Sequence, residues 1–140
     1  MNILLAVDGS PYTRRMLAHV AENDEWLGSK HHHTVVHATI RLRRVGARGV
    51  DPRELSAVYR NEAEEVFKPI RALFMQRGIA ANFVNLVGPV AESIARRAER
   101  DSCDLLVMGS HGHGSLANLV MGSVVTKVLA CCKVPVLLIR

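Results

Sequence analysis

A chain of 140 residues, 49% apolar and 22% charged, can build one sizeable core and is too apolar for disorder. No apolar run approaches the ~20 residues that cross a bilayer. Three cysteines without a CxxC pair make a poor disulfide framework and fit a reducing cytoplasm. The formal charge of +5 raises the question of polyanion binding, but no aromatics interleave with the arginine groups 41, 43, 44, 48 and 96, 97, 100, so a solvated surface is expected rather than a nucleic-acid site.

Strand and helix signals alternate, which predicts an α/β fold with a mainly parallel sheet in one domain, residues 1–140. Asn2–Val7 reads as the first strand, with no basic leader before it. Ser10-Pro11 supplies an N-cap and a proline at the first helical position, and the helix should run to about Trp26 with Leu17, Val20 and Ala21 inward. His31–His33 reads as an exposed loop leading into the second strand, Thr34–Ile40. A basic loop spans 41–50. Asp51-Pro52-Arg53-Glu54 resembles a capping box. The helix it opens carries Leu55, Val58, Tyr59, Ala63, Val66, Phe67, Ile70, Leu73 and Phe74 at helical spacing, should kink at Pro69, and should end at Gly78. A third strand is expected over Asn82–Val87. Gly88-Pro89 opens a helix with a narrow stripe of Ala91, Ile94, Ala95 and Ala98. Asp104–Met108 is the fourth strand, a further helix starts at about Ser123, and Pro135–Ile139 is the fifth strand.

The most informative pattern follows the fourth strand: Gly109-x-x-Gly112, nine residues, then Gly122-Ser123. A strand ends in glycine, a long loop follows, and a second glycine opens a helix. Glycine lets backbone approach an anion, and the first N–H groups of a helix lack internal partners and carry the positive dipole end. Asp8-Gly9-Ser10 follows the first strand. If the first and fourth strands are neighbours across a reversal of strand order, the two segments face one crevice. Asp8 would then accept hydrogen bonds from a sugar or base; taken alone it reads as a turn and capping residue.

These motifs resemble the universal stress proteins of the nucleotide-binding kind. The full G-2x-G-9x-G-[ST] motif is present at Gly109, Gly112, Gly122 and Ser123. The string Val107-Met108-Gly109-Ser110-His111-Gly112 is similar to the family signature, as are Val7–Ser10, Val36–Ala38, Gly88–Ala91 and Pro135–Arg140. The resemblance implies an open five-stranded parallel sheet in the order 3-2-1-4-5, Rossmann-like, with helices on both faces. It implies that Ala6, Val7, Asp8 and Ala38 lie around an adenosine. It places Gly109, Gly112, Gly122, Ser123 and Val124 around phosphates, with Met108 beside them in the signature. The ligand implied is ATP, with AMP and ADP as alternatives, accompanied by Mg²⁺ or Mn²⁺. Ala38 is smaller than the valine often found there, and the 41–50 loop is unusually basic.

Other chemistries find less support. There is no G-x(4)-G-K-[ST], and Gly112-His-Gly114-Ser-Leu-Ala117 lacks the strand-terminal acid that a dinucleotide fingerprint needs about 20 residues later. The pairs within His31–His33 and His111/His113 fall short of a zinc ligand set; His111 and His113 are expected to line the phosphate loop. No lysine lies between Gly109 and Gly122, so binding is expected, with ATP hydrolysis slow at most. The resulting expectation is a cytoplasmic stress sensor or regulator that binds adenine nucleotide and forms a homodimer through its fifth strand. The alternatives are a dimeric scaffold that binds a protein partner without nucleotide, and a basic nucleic-acid-binding domain.

Overall fold

The computed structural model describes residues 1–42, 49, 51–114 and 120–140. Most of the basic 41–50 loop lies outside the described residues. Five strands, β1 (Asn2–Ala6), β2 (His32–Thr39), β3 (Ala81–Val87), β4 (Leu105–Gly109) and β5 (Val136–Ile139), form one sheet. Every pairing is parallel and the order is β3-β2-β1-β4-β5. The helices are α1 (Pro11–Glu22), the short α2 (Asp24–Leu27), α3 (Pro52–Gln76), α4 (Val90–Arg100) and α5 (Ser123–Cys131).

β1 is central, so both its faces are buried. Ile3 and Leu5 join a core with Met16, Val20, Phe67 and Phe74 from α1 and α3. Leu4 and Ala6 join another with Ala91, Ile94, Val125 and Val128 from α4 and α5. This period-two division is why β1 reads as a continuous apolar run rather than an alternating one. The chain winds outward from β1 to β3, then returns to β4 on the other side of β1. That reversal opens a crevice at the carboxyl ends of β1 and β4.

Some local expectations change in the folded chain. The first helix stops at Glu22 rather than near Trp26. Asn23 leaves helical dihedrals (φ −110°, ψ 49°), and its side chain donates to the His19 carbonyl at 2.8 Å. Thr13, Met16, Leu17 and Val20 form the buried stripe, with Ala21 only half-buried. His32 and His33 belong to β2 rather than to a loop, and His33 is buried with Nε2 donating to the Leu27 carbonyl at 2.7 Å. Burial lowers its pKa. The strand bounds shift by one or two residues, as register with the neighbouring strands decides where pairing begins.

α3 is one uninterrupted helix through Pro69. Proline forfeits one hydrogen bond, but Ala63 and Phe67 before it and Ile70 and Phe74 after it bury one continuous stripe. At its start, Asp51 Oδ1 accepts from the Arg53 N–H at 2.9 Å. At its end, Gly78 takes φ +65°, the Gly78 N–H donates to the Met75 carbonyl, and the Ile79 N–H reaches back to the Phe74 carbonyl at 2.9 Å. This is a Schellman closure, with Ile79 and Phe74 meeting in the core.

Candidate nucleotide-binding site

The crevice is shaped by three turns that lock onto one another. The first follows β1. Asp8 Oδ1 accepts from the Ser10 N–H at 2.9 Å and the Thr13 hydroxyl at 2.8 Å, while Ser10 Oγ caps α1 by accepting from the Thr13 N–H. The second follows β4, where the Ser110 N–H donates to the Ile139 carbonyl at 2.8 Å. The third opens α5, where the Gly122 N–H donates to the Ser110 carbonyl at 2.9 Å. The loop is thereby pinned at both ends, and His113 Nε2 ties it to β1 by donating to the Asp8 carbonyl at 2.8 Å.

The motif glycines are explained by contact. A Cβ on Gly109 would lie 2.7 Å from Tyr12 Cβ and 3.1 Å from its backbone carbon, so α1 can sit against the end of β4 only if residue 109 has no side chain. A Cβ on Gly112 would lie 2.5 Å from Asp8 Oδ2. A Cβ on Gly122 would lie 3.2 Å from His111 Cα. None of the three takes a positive φ, contrary to the left-handed backbone that glycine suggests in sequence; Gly122 has φ −71°. Close approach, rather than dihedral freedom, is the requirement.

These turns enclose a cavity of about 660 Å³, within the range of small-molecule sites. All ten residues singled out in the sequence line it: Ala6 at the end of β1 with Val7 and Asp8 just after it, Ala38 from β2, Met108 and Gly109 from β4, Gly112 from the loop, and Gly122, Ser123 and Val124 at the start of α5. His111 and His113 line it too. A second wall was not foreseen. It comes from the end of β2 and from α3, through Thr39, Ile40, Leu42, Val58, Tyr59 and Glu62. The sequence had placed Val58 and Tyr59 at helical spacing without marking them as site residues. Tyr59 is buried but its hydroxyl accepts from the Leu42 N–H at 2.7 Å, and Ile40, Leu42 and Val58 are 68%, 59% and 53% exposed at the mouth.

Two electrostatic features face each other here. Burial pushes the Asp8 carboxyl up, but hydrogen bonds from Ser10 and Thr13 and the imidazole of His113 outweigh it, leaving it below the ordinary carboxylate range and ionised at neutral pH. Its Oδ1 is used in the turn, and its Oδ2 faces Gly112. Across the cavity, α5 begins at Gly122 with no side-chain cap. The N–H groups of Ser123, Val124 and Val125, all lining residues, therefore have no acceptor inside the helix. Deeper, His37 Nδ1 donates to the Val7 carbonyl at 3.0 Å, which leaves Nε2 to accept from the Thr39 hydroxyl at 3.2 Å. Among the described residues no group of three or more His, Cys, Asp or Glu could hold a metal ion.

The universal stress protein family profile matches residues 1–140. The chain belongs to that family. It is 30% identical over 138 residues to a universal stress protein of Synechocystis, covering 99% of this chain and 42% of the relative. It covers 50% and 51% of two other relatives, so it spans about half the length of the curated relatives it matches. A universal stress protein of Methanocaldococcus jannaschii has the same fold, with a TM-score of 0.77, 23% identity, and coverage of 99% of this chain and 94% of that one. The Archaeoglobus fulgidus family member solved in complex with dAMP matches with a TM-score of 0.69 and 24% identity over 100% of this chain and 98% of that one. Two more distant members were solved with cAMP and with AMP.

Proposed function

We propose that this universal stress protein binds an adenine nucleotide in the crevice and acts as a nucleotide-dependent sensor or regulator. One observation carries the reading: the uncapped start of α5 opens on the same cavity as the ionised carboxylate of Asp8. The helix start offers N–H donors and a positive dipole end to phosphates. Asp8 offers an acceptor to the amino or hydroxyl groups of adenosine. We assign Ala6, Val7, Asp8 and Ala38 to the adenosine, Met108 to the join between the two ends, and Gly109, Gly112, Gly122, Ser123 and Val124 to the phosphates. The family members solved with dAMP, cAMP and AMP support an adenylate ligand, and ATP extends the same contacts.

Mg²⁺ or Mn²⁺ would be held mainly by the phosphates themselves, since Asp8 and Glu62 are the lining carboxylates and Asp8 Oδ1 is already engaged. Phosphoryl transfer needs a positioned nucleophile and charge stabilisation at the leaving oxygens. The motif loop has no lysine, so the site is read as one of retention rather than turnover. The test is to denature the purified protein, identify any released nucleotide, and titrate the emptied protein with AMP, ADP and ATP by calorimetry. Micromolar or tighter binding of the adenine series, with GMP much weaker, is expected. No heat with any of the three would overturn the proposal.

A further inference from the structure

The candidate site has a neighbour of nearly equal size. A second cavity of about 610 Å³ lies over the ends of β2 and β3. Ile40, Val90, Ser123 and Val124 line both cavities, so the two share a wall. That wall contains N–H donors of the first turn of α5, where the phosphates are placed above. The second chamber differs in charge from the first. Among the described residues the lining carboxylates of the first are Asp8 and Glu62, whereas the second is lined by Arg41 and Lys127 against the carboxylate of Glu92. Lys127 is one helical turn beyond Ser123, so its ammonium stands on the same face of α5 as the shared wall. The rest of the lining includes apolar Val87, Pro89 and Val90.

A lone phosphate needs cations but little room, and a purely apolar group needs room but no cations. This chamber supplies both, beside a wall already suited to phosphate. Its volume is that of a small-molecule site by itself. We propose, building on the nucleotide reading above, that the two chambers together hold a dinucleotide. One adenosine occupies the first chamber, the bridging phosphates pass over the start of α5, and the second nucleoside rests against Val87 and Pro89. Arg41 and Lys127 attract the bridging phosphates.

Calorimetry on nucleotide-stripped protein with AMP, ATP and diadenosine tetraphosphate tests this. The dinucleotide should bind at least about tenfold tighter than either mononucleotide, a margin one or two charge-assisted contacts can supply. The double variant Arg41→Glu/Lys127→Glu should lose that margin while keeping wild-type affinity for AMP. Equal affinities for AMP and the dinucleotide overturn the proposal, as does a margin that survives charge reversal. If ATP matches the dinucleotide and loses its advantage in the same variant, the chamber takes phosphates alone and the second nucleoside is wrong. If AMP itself fails to bind, the reading of the first chamber fails and this one with it.

Discussion

Gly109, Gly112 and Gly122 do different work, although one motif announces all three. Gly109 admits Tyr12, so Gly109→Ala should cost about 1–3 kcal/mol of stability whether or not ligand is present, as overpacking does. Urea denaturation of the emptied protein checks this; an unchanged midpoint would mean α1 yields freely. Gly122 instead sits where α5 meets the loop, its missing Cβ 3.2 Å from His111 Cα. Gly122→Val should push the helix start away from the loop and weaken nucleotide binding about tenfold or more, the scale of one lost hydrogen bond to a charged group. Its far-UV circular dichroism should match wild type. Asp8→Ala should weaken ATP, ADP and AMP by similar factors, because all three share the adenosine. Loss of ATP with AMP retained would move Asp8 to the phosphate end. Asp8 also makes stability depend on pH. Its folded pKa lies below that of an ordinary aspartate, so its contribution is present above the unfolded value and is lost as pH falls through the folded one. The melting-temperature gap between wild type and Asp8→Asn should therefore hold above about pH 4 and narrow as pH falls below it.

At the scale of elements, α3 is the part whose role changes most between sequence and structure. Its periodicity predicts a core helix, and the stripe from Ala63 to Phe74 is buried. Its first turns instead form the outer wall of the crevice, with Val58 half-exposed at the mouth and Tyr59 holding Leu42. The other end is set by the Schellman closure. Gly78→Ala would force a Cβ into the left-handed region at φ +65°, costing about 1–2 kcal/mol. Nothing lies within 4 Å of the new Cβ, so strain alone is measured. Thermal denaturation should show the loss while nucleotide affinity stays at wild type, because residue 78 lies outside the cavity. A matching fall in affinity would show that α3 transmits strain along its length.

For the whole molecule, the open question is what covers β5. Among the described residues it pairs with β4 on one side only. The Leu106 N–H donates to the Pro135 carbonyl and the Ser110 N–H to the Ile139 carbonyl. By strand alternation, Val136 and Leu138 turn their N–H and C=O groups toward the open edge. Such an edge invites pairing with another strand, and two-fold pairing with its own copy closes both edges. A homodimer through β5 is therefore expected at micromolar concentration. Leu137 packs into the α1/α3 core, so a charge there would damage folding as well as pairing. Leu138 packs on the α4/α5 core, and Leu138→Pro removes an edge donor while leaving the bonds to β4, so light scattering should show it monomeric with the far-UV circular dichroism of a folded chain. A monomeric wild type would reject the interface. Among the described residues no helix is long and apolar enough to cross a membrane.

Much of this was legible in the residues. The apolar runs, the caps at Ser10 and Asp51 and the stop at Gly78 are local signals, and local hydrogen bonding honours them. The motif glycines, Asp8 and the start of α5 could be named as candidate site residues because their chemistry is carried by spacing along the chain, and they line one cavity. What spacing does not encode is which segments come face to face. Asn23 ended α1 early through a side-chain bond to His19, and His33 was read as exposed and is buried under α2. The α3 wall of the crevice, the reason each motif glycine is glycine, and the second chamber depend on contacts between residues far apart in sequence. Those contacts exist only once the sheet has brought β1, β2 and β4 side by side.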